Sequence, residues 1–240
     1  TSYAGYLSWS VSADGRIAAF YSLASNLVSG DTNGVTDVFL RDRQDGDTLR
    51  VSVSSSGTQA NGASSEVTIS ADGQVVVFRS GATNLVSGDT NGVADVFVHS
   101  RQTGETTRVS VSSAGGQGNG LSGTPAVSAD GRLVAFSSSA NNLVAGDTNG
   151  LQDLFVRDRS SGATTRVSIS SSGEQANGVS DLPSVSADGR FVVFYSAASN
   201  LVAGDTNEAG DAFLHDRLLG TTARVSVDSL GGQANGLSSF

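Results

Sequence analysis

Between residues 67 and 112, apolar and polar positions change over in short runs, each ended by a turn signal. Residues 67–70 are a short apolar run, and Asp72-Gly73 is a turn dipeptide between two strand-like segments. Residues 74–80 put Val75 and Val77 on one face and Val76 and Phe78 on the other, as expected of a strand buried on both sides. A loop covers 81–94, a third strand runs over 95–100, and Gln102-Thr103-Gly104 makes a turn. A fourth strand is predicted over 106–112, with Arg108, Ser110 and Ser112 on one face and Val109 and Val111 on the other. That alternation suits an outer edge, where Arg and Ser discourage unwanted pairing. A Gly/Ser/Asn connector follows over 115–123. No helical period appears, which excludes a helical solenoid.

The whole unit recurs. Ser-Ala-Asp-Gly places its Asp at 14, 72, 130 and 188, and Gly-Asp-Thr-Asn places its Asp at 31, 89, 147 and 205, every step being 58 residues. A fixed period of this length marks a repeat architecture whose units bury their faces against neighbours. Four strands per unit predict an all-β, four-bladed β-propeller. A parallel β-helix is the rival, but its coils are shorter and lack the hairpin punctuation. The expected organisation is a single domain over 1–240, with repeats at about 3–60, 61–118, 119–176 and 177–234 and a closing tail at 235–240. Residues 1–8 and 233–240 both align with the inter-repeat connector, so the C-terminal segment is expected to meet the start of repeat 1 in a monomeric ring. Tyr3, Tyr6 and Trp9 then read as closure packing, or else as an aromatic patch for a partner.

Composition narrows the partners. The net charge is −9, Lys is absent and the 14 basic residues are all Arg, spread through the repeats. Nucleic acid and anionic membranes are poor partners for such a chain, and cations are better ones. No run approaches the about 18 apolar residues of a membrane-spanning helix. Without Cys there is neither a disulfide nor a thiolate metal site. The start at Thr1, without Met or leader, reads as a mature secreted or extracytoplasmic product of bacterial type, or an excised domain.

The string Val-Ser-Ala-Asp-Gly-Arg-Leu-Val-Ala-Phe-Ser-Ser at 127–138 recurs in varied form at 11–22, 69–80 and 185–196. It resembles the WD40-like (PD40) repeat of TolB-type bacterial propellers, which carries a Ser-x-Asp-Gly-x-x-hydrophobic-Ala-Phe motif. The resemblance implies a propeller that binds proteins or peptides, or one that serves as an accessory domain of a hydrolase. The unit here is longer, by the Asn-Leu-Val-x-Gly-Asp-Thr-Asn insert.

That insert carries the candidate chemistry. Repeat 1 offers Asp31, Asn33, Val35 and Asp37, and repeat 2 offers Asp89, Asn91, Val93 and Asp95. Repeat 3 offers Asp147, Asn149, Leu151 and Asp153, and repeat 4 offers Asp205, Asn207, Ala209 and Asp211. Side-chain oxygens at positions 1, 3 and 7 with a backbone carbonyl at position 5 match the first half of a calcium loop. The alternative is a plain Asx turn with no ion. Glu208 replaces the position-4 Gly in repeat 4, which either blocks the curl or adds a carboxylate.

Arg43, Arg101, Arg159 and Arg217, with Arg50, Arg108, Arg166 and Arg224, read as partners of nearby Asp or as a guanidinium ring for an anion. The Asn-Gly pairs at 61, 119, 177 and 235 read as backbone-satisfying groups or as lectin-like sites. His99 and His215 fall at solvated loop or edge positions. No nucleophile elbow, metalloprotease helix or phosphate loop is present. The sequence therefore predicts a calcium-stabilised, non-enzymatic module that binds a protein or a glycan. The alternative is a hydrolase or lyase acting on polysaccharide from one propeller face.

Overall fold

The computed structural model describes residues 9–238. Among these residues there is no helix, and the sixteen strands form four antiparallel sheets of four, one per repeat. Repeat 1 holds β1 (Ser10–Val11), β2 (Ile17–Ser22), β3 (Asp37–Asp42) and β4 (Thr48–Arg50). Repeat 2 holds β5 (Ser64–Ile69), β6 (Val75–Ser80), β7 (Asp95–Ser100) and β8 (Thr106–Arg108). Repeat 3 holds β9 (Ser122–Val127), β10 (Leu133–Ser138), β11 (Asp153–Asp158) and β12 (Ala163–Arg166). Repeat 4 holds β13 (Ser180–Val185), β14 (Phe191–Ser196), β15 (Asp211–Asp216) and β16 (Thr221–Arg224). Strands adjacent in sequence are adjacent in the sheet, as in a propeller blade.

The Ser-Ala-Asp-Gly turn shows why the first hairpin forms. The Ser12 carbonyl accepts the Gly15 N–H at 2.8 Å, with Gly15 at φ +71°. The Ser12 hydroxyl donates to Asp14 at 2.6 Å and accepts the Ile17 N–H at 2.9 Å, while Asp14 accepts the Arg16 N–H at 2.9 Å. These bonds hold the Asp14 carboxyl below its ordinary range, the Ser12 hydroxyl first among them. Beyond the turn, the middle strands pair Phe20 with Phe39, Phe78 with Phe97, Phe136 with Phe155 and Phe194 with Phe213, ring centroids 5.9–6.0 Å apart.

The chain divides into two compact units, Thr1–Val109 and Ser110–Phe240. In the first, Val38, Leu40 and Val51 of repeat 1 share a core with Ile69, Val76 and Phe78 of repeat 2. In the second, Leu154, Val156 and Val167 of repeat 3 share a core with Val192, Phe194 and Leu201 of repeat 4. Apolar residues on both faces of the middle strands thus do what the sequence pattern predicts.

Two strand expectations need correction. The fourth strand, the edge of each sheet as expected, is three or four residues long, not seven, and the residues just past it, Val51, Ser52, Val167 and Ser168, are buried. After it the chain turns into a small hairpin, bridged Val53 to Gln59 in repeat 1 and Ile169 to Gln175 in repeat 3, that folds against the next repeat. The first strand of repeat 2 begins earlier than residue 67, because a bulge at Glu66 lets the pairing resume at Ser65 and Ser64. Tyr3, Tyr6 and Phe240, with the whole of the expected closure segment 1–8, lie outside the described residues. Trp9 is exposed.

Candidate functional site

The Asp-Thr-Asn-Gly loops are built alike. The Asn oxygen accepts the N–H of position 5, from Val35, Val93, Leu151 and Ala209, at 3.0–3.2 Å. The Asn amide nitrogen donates to Asp37, Asp95, Asp153 and Asp211 at 2.8–3.4 Å. One guanidinium nitrogen then lies between the two carboxylates. Arg50 is 3.2 Å from Asp31 and 3.7 Å from Asp37. Arg108 is 3.3 Å from Asp89 and 3.2 Å from Asp95. Arg166 is 3.3 and 3.4 Å from Asp147 and Asp153, and Arg224 is 3.2 and 3.4 Å from Asp205 and Asp211. Ser168 and Ser226 donate to Asp153 and Asp211 at 2.6 Å, and Ser52 donates to Asp37. These Arg side chains are 9–11% exposed and the Asp side chains at most 4%, so each group is a buried clasp.

This arrangement does not fit calcium. The ion takes six to eight converging oxygens. Here the Asn oxygen accepts an Asx-turn bond, and the cation between the carboxylates is Arg. Among the described residues no group of three or more acidic or His side chains is placed to hold a metal. Burial raises the Asp147 carboxyl, with Asp153 adding to the rise and Arg166 opposing it. Burial likewise raises Asp205.

Glu208 does not block the curl in repeat 4. It takes φ +55° where Gly34, Gly92 and Gly150 sit at +67° to +69°, and the Asx turn survives. A side chain there carries strain that Gly does not. Glu208→Gly should therefore stabilise the fold by about 0.5–1 kcal/mol in denaturant melts. An unchanged or lowered midpoint would show that the Glu208 side chain compensates elsewhere.

The other repeated polar residues are structural. Arg43, Arg101, Arg159 and Arg217 donate to the turn carbonyls of Gly15, Gly73, Gly131 and Gly189 at 2.7–3.1 Å, rather than forming a ring for an anion. Asn61 accepts the Thr83 N–H at 2.8 Å and donates to the Thr83 hydroxyl at 2.9 Å, while Asn84 donates to the Gln59 carbonyl at 2.9 Å. The connector amides thus satisfy backbone where the chain crosses between repeats. His99 and His215 are buried, contrary to the expected solvated position, with Nδ1 2.9 Å from the Thr106 and Thr222 hydroxyls. The Thr106 hydroxyl already donates to the Val53 carbonyl at 2.6 Å, so Nδ1 carries the proton. Burial lowers both imidazoles, which keeps them neutral.

What repeats on the surface is a groove. The hairpin after one fourth strand faces the Asn-Leu-Val turn and the fourth strand of the next repeat. Ser54, Ser55, Asn84, Leu85, Val86 and Thr106 line an open groove of about 460 Å³. Ser112, Ser113, Asn142, Leu143, Val144 and Thr164 line one of about 380 Å³, and Ser170, Ser171, Asn200, Leu201, Val202 and Thr222 one of about 440 Å³. Leu85, Leu143 and Leu201 are buried beneath, and Ser and Thr hydroxyls form the rim. Each groove is held open by one lock: Ser55 accepts the Thr106 N–H, Ser113 that of Thr164 and Ser171 that of Thr222, all at 2.9 Å. The Ser-Ser and Thr positions were in the 58-residue register, but their meeting across a repeat boundary left no signal in the sequence.

A second place keeps the backbone of the repeat but varies its side chains. Glu66, Thr124 and Leu182 have φ of +52°, +43° and +57° at the bulges of β5, β9 and β13, although none is Gly. There Thr124 lies 2.7 Å from both Ser137 and Asp181, while Glu66 pairs with Arg79 at 3.2 Å. Strained residues of this kind gather where a side chain must be re-aimed.

Four-stranded meanders, each opened by the Ser-Ala-Asp-Gly hairpin, define a β-propeller chain. Its fold is that of TolB-type propellers. It is similar over 95% of its length to 45% of the TolB of Acinetobacter baumannii, with TM-score 0.58 and 16% identity. It is similar over 90% to 63% of a putative TolB from Agrobacterium tumefaciens, with TM-score 0.58 and 17% identity. An oligogalacturonate lyase in complex with manganese matches 92% of the chain with 52% of its own, at TM-score 0.54 and 12% identity. The chain thus spans less than two thirds of each of these structures. No protein-family model and no curated protein matches it.

Proposed function

We propose that this chain is a multivalent, non-enzymatic binding module whose repeated grooves each take a short extended polypeptide segment. The observation that carries this is the threefold recurrence of one groove, with an apolar Leu-Val floor and a hydroxyl and amide rim. An extended peptide matches that pairing, since its side chains can meet the floor while its backbone bonds the rim. No aromatic ring lines the grooves, so a sugar face has nothing to stack on. The clasps and locks support the grooves as a rigid frame. The proposal keeps the extracytoplasmic setting expected from the sequence, which fractionation of the source cells would check.

Peptide and glycan arrays probed with the labelled protein test the reading. Ser87, Ala145 and Ala203 are exposed at the three groove rims. Changing each alone to Trp should fill one groove and remove about a third of the peptide capacity without altering melting. Selective glycan binding, or binding indifferent to all three changes, would contradict the proposal. The rival reading, a polysaccharide hydrolase or lyase, points instead to the unrepeated Thr124–Ser137–Asp181 cluster. Polysaccharide turnover abolished by Asp181→Asn would establish it.

A further inference from the structure

The three grooves share one construction but not one charge. Their linings are Ser, Thr, Asn, Leu, Val and Ala with a single exception, Glu174, in the groove between repeats 3 and 4. Its counterparts in the 58-residue register are Thr58 and Gly116. The three hairpins hold these residues in the same way. The N–H groups of Thr58, Gly116 and Glu174 donate to the Ser54, Ser112 and Ser170 hydroxyls at 3.0–3.1 Å. Their carbonyls accept the N–H of those same Ser residues at 2.8 Å.

What differs is the side chain. The Thr58 hydroxyl lies 3.1 Å from the Ser56 hydroxyl and is satisfied within its own hairpin. Glu174 is exposed, and among the described residues its carboxylate has no hydrogen bond or ion pair. The guanidinium nearest in sequence, Arg166, is already committed to Asp147, Asp153 and the Gln175 oxygen. Glu174 is thus an unpaired anion on a fixed backbone, at the rim of a groove whose floor is the buried Leu201 and the half-buried Val202.

We propose that the groove between repeats 3 and 4 selects a segment carrying a basic side chain, a preference that the other two grooves lack; this rests on the peptide reading above. The aliphatic stem of an Arg or Lys lies along the Leu-Val floor and brings its charge to Glu174 at the rim. Arg suits the place better than Lys, because its guanidinium takes both carboxylate oxygens and is more weakly hydrated. The net charge of −9 acts in the same direction on an approaching cation. One exposed pair changes affinity only a few-fold, so an uncharged segment still sees three like grooves.

Proteins with one open groove test this. Ser87→Trp with Ala145→Trp leaves the Glu174 groove open, and Ala145→Trp with Ala203→Trp leaves the Thr58 groove open. The probes are the labelled, amidated peptide Thr-Val-Ser-Arg-Ser-Val-Thr and the same peptide with Gln in place of Arg, followed by fluorescence anisotropy at low salt. The Arg peptide should bind the Glu174 groove about three to five times more tightly than the Gln peptide, and the Thr58 groove no more tightly. The preference should vanish in Glu174→Gln, and also at about 1 M salt, where the screening length is about 3 Å. Thr58→Glu should create it in the first groove. Equal binding of both peptides at the Glu174 groove overturns this inference and leaves the peptide reading standing, as does a preference that survives Glu174→Gln. Failure of both peptides to bind either protein overturns the peptide reading and this inference with it.

Discussion

Changing Gly178 to Ala is expected to cost about 3 kcal/mol, a fall in melting temperature on the order of 6–12 °C for a chain of this size. The added Cβ would sit 2.5 Å from the Ala197 carbonyl oxygen and carbon, and 2.6 Å from the Ala198 nitrogen. All three are backbone atoms, so no side chain can swing away, and relief requires the connector before β13 to part from the chain that leaves β14. Gly120→Ala should behave alike, since the Ser139 backbone lies 2.6 Å away. Gly57 is not a suitable control, because its φ of +81° adds strain of its own. Gly236 is the suitable one, with open space and no such backbone requirement, and its Ala variant should melt as the wild type does. Equal melting of the Gly178 and Gly236 variants would mean that the connector is not packed on the Ala197 backbone at this distance.

Arg166→Ala is expected to cost about 3–5 kcal/mol, because it leaves Asp147 and Asp153 buried without a counter-charge. The Asp153 side chain is fully buried and Asp147 nearly so. The loss should depend on pH with a definite sign. Asp147 already stands above its ordinary value of 3.8, and removing the opposing guanidinium raises it further. A carboxyl raised in the folded state favours folding fully below its unfolded pKa, and this is lost as pH rises through the folded pKa. The deficit relative to wild type should therefore be largest at neutral pH and shrink on acidification towards pH 4. Urea melts of both proteins between neutral and acid pH check this. A deficit independent of pH would mean that Arg166 acts through packing alone. Calcium uptake that raised the wild-type melting temperature would overturn the clasp as the occupant of the loop.

Much of the fold is legible in the residues, and the reasons are local. The third strand of repeat 2 falls at Asp95–Ser100 as predicted, because turn dipeptides bound it and its apolar residues are consecutive. The hairpin before β6 follows from Ser70, Asp72 and Gly73, whose bonds span no more than five residues. The strand expected over 106–112 ends at Arg108, since Ser110 and Val111 turn away to pair with Gly118 and Gln117. The other misreadings involve partners far apart in the chain. His99 is buried with its ring bonded to the Thr106 hydroxyl, which is itself held by Val53 of the preceding repeat. The charge partner of the acidic loop is equally remote, since Arg50 lies 19 residues beyond Asp31. The grooves have no contiguous signature at all, being assembled from a hairpin and a turn of successive repeats.

The central claim is that equivalent grooves recur in one chain and bind independently. Isothermal titration with the peptide selected on the array tests it most directly. The account predicts three equivalent sites per chain, falling to two when Ala145 is changed to Trp. A single site per chain, lost on changing Asp181 and unaffected at Ala145, would contradict it.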